Sequence, residues 1–575
     1  MGELLMHPGL PLLIAAALVW WTPRRVTQVL LVVAPLVSLA LVAGIDASTS
    51  VTTTWLGFEV EPMRADRLAL AFGWIFAIAA LIAGIYGIAI VRDREPTSVL
   101  AYAGAAMGVV FAGDLLTLFV FWEIKAIAST FVILNRRGGN SDRAGMRYLY
   151  VHLVGGKLLL AGAMWHLADT GSLTFSALEM GPAAALILIA FLISAAAPPL
   201  HAWLPDAYPE ASVAGTVFLS AYTTKAAVYA LARGFPGLEL LVWLGVVMAL
   251  YGLVYAMLEN DIRRLLGYSI ISQVGYMVAA IGIGTEMAIN GATAHAFAHI
   301  LYKGLLLMGA GAVIHATGRA KMSELGGIAN RMRGVLALYV IGAVSISSVP
   351  LFSGFVTKEL AVYAVGLDER TVVVVLLLKV ASVGTFLHTG LKLPFGTWFG
   401  HEGAGPRSND GHRIRVGPVP TTMYVAMGLS ALLNLLIGVH PTLLFDLLPH
   451  AVDHDPYTLT KIVEKSQILV FAALGFWLLR SKLSAQATIS LETDLVYRAP
   501  GPGFRAWITG TGPSSSQLDA SRDRAGAAFA RVRTLLHERL PAARGTNPPV
   551  YPTWVLGMSL LGVAILLLLL TLRLS

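Results

Sequence analysis

Long apolar runs alternate with short polar ones along most of this chain. The apolar runs are repeatedly about 18–25 residues long, the length an α-helix needs to cross about 30 Å of hydrocarbon. They are solidly apolar rather than alternating, which excludes the strands of a membrane barrel. With no water to satisfy them, backbone groups inside a bilayer must pair within their own segment, so these runs are helices. About sixteen transmembrane helices are predicted. They begin near residues 4, 26, 66, 98, 115, 147, 182, 213, 238, 262, 288, 335, 371, 420, 466 and 551. The stretch Leu4–Trp21 lacks a basic leader and a small-residue cleavage site, so it reads as the first span and not as a removable signal.

Composition agrees with an all-α polytopic membrane protein. Only 13% of residues are charged, about half the usual share of a soluble domain. The net charge of +8 could suggest nucleic acid, but the basic residues sit in short clusters between spans. Arg24-Arg25, Arg92 with Arg94, Arg136-Arg137 with Arg143 and Arg147, and Arg263-Arg264 follow odd-numbered spans. So do Arg319, Lys321, Arg331 and Arg333, then Arg407, Arg413 and Arg415, then Arg480 and Lys482. Loops after even-numbered spans hold few basic residues. This is the positive-inside pattern, and it places the N-terminus outside the cytoplasm of a bacterial inner (plasma) membrane. Nucleic acid is not an expected partner; the lipid bilayer is. Cysteine is absent, so the chain has no disulfide, thiol nucleophile or cysteine-ligated cluster. No cofactor, metal or catalytic residue is predicted.

Residues 484–549 break the rhythm of spans. They open on a Pro/Gly-rich stretch and continue with Leu518, Ala525, Phe529, Val532, Leu536 and Leu540 at helical spacing. An amphipathic helix lying along the membrane surface is expected there, followed by a last transmembrane helix over 550–575.

Charge inside a span calls for a reason, because it costs roughly 2.5–3.5 kcal/mol at mid-bilayer on the insertion scale. Snorkelling accounts for charges near helix ends, such as Lys392 and Arg480. It does not account for Glu123 in DLLTLFVFWEIKAIAST or Lys225 in VFLSAYTTKAAVYAL. Lys157, with His152 before it, Lys358 and Lys379 are similarly placed. His295, His299 and Lys303 fall at i, i+4 and i+8, which sets them on one helix face over about 12 Å. A stepped line of titratable groups is what a proton needs to move by hopping. Burial helps a lysine to release its proton, and a nearby carboxylate opposes release, so the two together make a switch.

Two spans are interrupted. Pro198-Pro199 breaks the seventh, and Pro350 with Gly354 breaks the twelfth. Proline frees backbone carbonyls at membrane depth, which is tolerated where they line a wet cavity. The segments Pro199-Leu200-His201-Ala202-Trp203 and Pro350-Leu351-Phe352-Ser353-Gly354-Phe355 resemble each other. A matched pair of broken spans marks an inverted-repeat transporter.

At FVFWE, PPLHAWLPDAYPEA, ENDIRRLLGYSIISQVGYM, AHAFAHILYKGLLLMGAG and PLFSGFVTKEL the chain resembles a known family. These are the antiporter-like proton-translocating subunits of complex I, membrane-bound hydrogenases and Mrp cation/proton antiporters, and the resemblance is strong to the Mrp D-type subunit and its hydrogenase counterparts. The resemblance runs from about residue 66 to 400 and implies a core of fourteen helices in two inverted five-helix repeats. On that basis residues 1–97 hold helices 1–3, 98–235 the first repeat and 236–400 the second. Residues 401–483 then hold helices 14 and 15.

The resemblance also implies roles. Glu123 would modulate proton affinity, Lys225 would hold the channel centre, His295, His299 and Lys303 would form the central relay, and Lys358 would lie near the exit. Lys157 and Lys379 join them as translocation residues. The family usually carries a lysine where Ser194 stands, and Lys157 is expected to replace it as the cationic partner of Glu123. Such subunits work beside other membrane subunits of one complex, moving H⁺ and, in antiporters, Na⁺ or K⁺. The chain is expected to be a transporter subunit and not a stand-alone enzyme. The alternatives are the proton-pumping module of a redox enzyme and a proton-fed module for inorganic-carbon uptake.

Overall fold

The computed structural model describes residues 6–483, apart from residue 56 and residues 92–93, 368–371 and 401–413. Each predicted span up to the fifteenth finds a helix. In order they are α1 (Leu10–Val19), α2 (Arg24–Gly44), α3 (Arg67–Gly87), α4 (Glu95–Phe111), α5 (Leu115–Leu134) and α6 (Gly139–Thr170). The seventh span is split into α7 (Pro182–Ser194) and α8 (Trp203–Ala207). Then come α9 (Val213–Gly234), α10 (Glu239–Leu258), α11 (Ile262–Ile283) and α12 (Glu286–Thr317). The twelfth span is split into α13 (Arg333–Ile346) and α14 (Ser353–Gly366). α15 (Val372–Thr385), α16 (Thr421–Val439), the single turn α17 (Thr442–Phe445) and α18 (Leu459–Leu483) follow. Among the described residues ten helices are long and apolar enough to cross a membrane on their own. The surface helix and last span expected beyond residue 483 lie outside the described residues.

Polar residues at the turns set where these helices begin. The Asp114 carboxylate accepts from the amides of Leu116 and Thr117, both at 2.8 Å, and so caps α5. Asp66, Ser212, Asp261 and Thr285 cap α3, α9, α11 and α12 in the same way. Such a side chain satisfies an amide that has no partner inside the helix. An element outside the helical expectation ties into this ring of caps. Ser50–Trp55 and Phe58–Arg64 form an antiparallel hairpin, β1 and β2. The Glu61 amide of β2 donates to Asp114 at 2.8 Å, and its carbonyl accepts from Gly113 at 2.9 Å, so the hairpin steadies the start of α5.

α12 occupies the middle of the bundle. Helices α3, α9, α11, α13, α14 and α16 all pack on it, and almost its whole length is buried. α10 and α11 approach most closely at glycines: a methyl group on Gly275 would strike the backbone of Gly245 and Ala249.

The two interrupted spans end alike in backbone detail. Ala196 and Ser348 both adopt left-handed φ of 59°. The following amides reach back five residues, Ala197 to the Leu192 carbonyl at 3.0 Å and Val349 to the Val344 carbonyl at 3.1 Å. This is the bond that closes a helix whose last turn reverses through a left-handed residue. A proline comes next in each case, Pro198 and Pro350. The backbone therefore pairs Pro198 with Pro350, one residue away from the register suggested by the side chains, which aligned Pro199 with Pro350. The turn geometry, and not the flanking hydrophobic letters, fixes the correspondence.

Candidate functional site

Lys225 lies on α9 with no exposed surface. Its Nζ donates to the Ser220 carbonyl at 2.7 Å and to Thr224 Oγ1 at 3.1 Å. Across the α9–α12 contact stand His299 and His295, also fully buried. Their ring centroids are 6.3 Å apart, and Tyr302 lies against both, 5.3 Å from the His299 ring and 6.3 Å from the His295 ring. Both ring nitrogens of His299 lack a hydrogen-bond partner, as does Nδ1 of His295. Polar atoms at this depth are normally met by protein or by ordered water.

Beyond the histidines the buried groups continue in two directions. In one, Lys303 donates to Ser269 Oγ at 2.7 Å, Ser269 lies 3.4 Å from Thr389 Oγ1, and Thr389 lies 2.7 Å from His388 Nδ1. His388, Thr389 and Lys392 belong to a widened turn after α15, Phe386–Lys392. Lys392 is not a snorkelling residue: it donates to the Met257 carbonyl and, at 3.0 Å, to that of Glu259. In the other direction Lys358, fully buried on α14, donates to the Ile346 carbonyl at 2.8 Å, at the end of the broken helix α13. Its Nζ is 5.3 Å from the Tyr276 ring, which in turn is 5.8 Å from the His295 ring.

Lys358 opens onto a charged cleft between α14, α15 and α18. There Lys465 pairs with Glu359 at 2.9 Å and Lys379 with Glu464 at 2.6 Å. Lys379 does not sit deep, as expected from its place in the sequence. Its side chain is 40% exposed and turned toward α18. Behind the cleft, in the loop before α18, burial and the ammonium of Lys461 hold His454 down at about 4. His454 thus remains neutral and lies 3.3 Å from the Lys461 amine.

The other half of the chain contains Glu123, on the face of α5 that meets α6. Lys157 Nζ of α6 is 3.9 Å from Glu123 Oε2. Ser194 is buried on α7. Sequence reasoning passed over Lys125, which is completely buried on the opposite side of α5, its Nζ 3.5 Å above the Trp122 ring. His152, also buried, stacks on Tyr148 with centroids 4.0 Å apart. Among the described residues no cluster of three or more histidines or carboxylates is arranged to hold a metal ion.

Glu123, Lys157, Lys225, His295, His299, Lys303 and Lys358 thus fall in order across the α5–α6, α9, α12 and α14 elements. An ammonium or carboxylate in hydrocarbon is expensive, so several fully buried lysines in one chain require a shared polar interior.

Residues 112–385 match the family described as NADH:quinone oxidoreductase/Mrp antiporter, transmembrane. Hydrogenase-4 component B of Escherichia coli (strain K12) is 30% identical over 424 residues, covering 66% of this chain and 62% of that protein. The chain thus spans less than two thirds of that relative. The D-type Na(+)/H(+) antiporter subunit of Bacillus subtilis (strain 168) is 27% identical over 465 residues, covering 75% of this chain and 92% of that one. The solved Mrp complex from Dietzia sp. DQ12-45-1b contains a chain with the same fold, at a TM-score of 0.68 and 23% identity. The match covers 80% of this chain and 98% of that one. The chain is a multi-pass antiporter-like membrane subunit whose residues 112–385 match the NADH:quinone oxidoreductase/Mrp antiporter family.

Proposed function

We propose that this subunit carries protons between the two sides of the membrane within a multisubunit complex, in exchange for Na⁺ or K⁺ in an Mrp-type assembly. The supporting observation is the set of fully buried titratable side chains Lys225, His295, His299, Lys303 and Lys358, together with the Glu123–Lys157 pair on the outer side of α5 and α6. In this reading Glu123 with Lys157 is the switch of the first half. Lys225 and the two histidines join the halves, and Lys303 and Lys358 lead to the far side. Lys379 lies at the mouth of the cleft beside Lys358. The matched breaks at Pro198 and Pro350 support two repeats, over 98–235 and 236–400. Their free carbonyls give lysines such as Lys358 a place to rest between transfers.

The likeness to a hydrogenase component favours a second reading, in which electron transfer in other subunits drives the same route. Gentle purification, identification of co-purifying chains and flux measurements in everted vesicles separate the two. Proton flux stimulated by Na⁺ or K⁺, with only membrane partners present, supports exchange. Flavin or iron absorbance, with flux that follows an added electron donor, selects the redox-driven assembly. Proton flux under neither condition overturns both.

A further inference from the structure

We propose that Lys125 and His152 form a buried proton-carrying pair in the first half of the subunit, joined to Lys225 through the hydroxyls of Ser129, Tyr148 and Thr223. This inference rests on the proton-carrying role proposed above and adds the carriers between the Glu123–Lys157 switch and Lys225.

Each partner lacks what the other supplies. The Lys125 Nζ is fully buried, makes no hydrogen bond among the described residues and lies over the face of Trp122. On His152, Nδ1 lies 3.0 Å from the Tyr148 carbonyl, which can only accept, so Nδ1 carries the hydrogen. Nε2 therefore presents a lone pair, and it too is buried with no partner. One group is a donor without an acceptor, the other an acceptor without a donor. Tyr148 adjoins both: its ring stacks on His152 with centroids 4.0 Å apart, and its hydroxyl is 2.9 Å from Oγ of Ser129, one turn from Lys125. Leaving both unsatisfied in the core costs stability, which a merely structural lysine would not justify.

The surroundings lead away from this pair in one direction. Glu123 and Lys157 occupy the outer side of α5 and α6, and Arg147 is engaged by Asp206 at 2.7 and 2.8 Å. Toward α9 a run of hydroxyls follows. Ser129 lies one turn beyond Lys125, and its Oγ is 2.9 Å from the Tyr148 hydroxyl, which is 3.0 Å from Thr223 Oγ1. The next residue, Thr224, accepts from Lys225 Nζ at 3.1 Å. Because a hydroxyl both donates and accepts, the transfer balances. The Lys125 ammonium gives one proton to His152 Nε2, which passes that same proton on while Nδ1–H stays on its carbonyl; each hydroxyl takes one proton and releases another, and the neutral amine of Lys225 takes the last.

The test measures proton flux in everted vesicles holding the full chain with its native partners, normalised to assembled complex, under an imposed pH gradient. Lys125→Met and Lys125→Arg should both lower flux about a hundredfold, the low end of what loss of a positioned proton carrier costs. If Lys125 served only to pack on Trp122, arginine would preserve that contact. Wild-type flux in Lys125→Arg therefore overturns the proposal. Tyr148→Phe keeps the ring on His152 and removes one oxygen from the route. It should lower flux about tenfold, less than loss of a proton carrier costs because water can stand in for one hydroxyl, and unchanged flux overturns the route even if the lysine variants fail to assemble. Lys225→Ala, measured alongside, separates the levels. An inactive Lys225→Ala beside an active Lys125→Arg defeats this inference alone, whereas an active Lys225→Ala defeats the reading on which it rests.

Discussion

Lys157 reaches Glu123 from outside the helix bundle: the two are 3.9 Å apart, yet the lysine side chain is 66% exposed and the glutamate only 14%. A carboxylate in an apolar setting needs a positive neighbour to keep its charge. Here that neighbour stands where lipid or an adjoining subunit can also touch it. The other glutamate oxygen, Oε1, is buried without a hydrogen-bond partner against Gly156.

Lys157 acts on this reading as a counter-charge that need not give up its proton. Lys157→Ala should lower proton flux about tenfold, less than the hundredfold or more that loss of a positioned acid–base group itself costs. Lys157→Arg should keep most of it, since guanidinium holds the charge. Flux assays on both variants decide: equal loss in the two would mean that Lys157 itself must titrate.

Gly156 makes room for the carboxylate. A methyl group there would overlap Glu123 Oε1, and the flexible end of the glutamate, not the backbone, would give way. Gly156→Ala should therefore assemble normally and transport poorly. The check is co-purification of partner subunits together with flux; normal flux would show that Glu123 can work from a second position.

Lys225 has no described carboxylate at ion-pair distance and is held by a carbonyl and a hydroxyl. Lys225→Ala should abolish transport with little loss of assembled complex, because the space it leaves is already polar. Lys225→Arg should fail as well, since guanidinium stays protonated throughout the accessible pH range. Wild-type rates in the arginine variant would remove Lys225 from the route.

What could be read from the sequence, and what could not, follows from depth and direction. Run length gave the spans, and the spacing of His295, His299 and Lys303 gave a face that the fold does bury. Position along an apolar run reports depth but not which way a side chain points. Lys379 and Lys157 are central in their runs and yet lie on exposed faces. Lys125 is the converse case. Two residues from Glu123 means a rotation of about 200° around the helix, which rules it out as a direct partner but turns it into the core. Lys392 looked like a helix-end residue because nothing in the sequence announces the widened turn that folds it onto the Glu259 carbonyl. The hairpin had a signal in its β-branched run Val51–Thr54, which lies between two stronger apolar ones.

His295 and His299 provide the sharpest test of a shared route. They lie one turn apart on α12 with ring centroids 6.3 Å from each other, and Tyr302 touches both rings. If protons pass through the pair in series, losing either ring breaks the route, and losing the second removes nothing that still works. His295→Ala and His299→Ala should each lower flux about a hundredfold. The double variant should then be no slower than the worse single one, a strongly non-additive result of the kind expected for coupled neighbours. If the histidines instead served separate routes, or only packed the core, the two defects would multiply. The measurement is a double-mutant cycle on flux, with the amount of assembled complex determined for all four proteins so that a folding defect is not counted as a transport defect. Multiplying defects at equal assembly would show that the two histidines do not lie on one path.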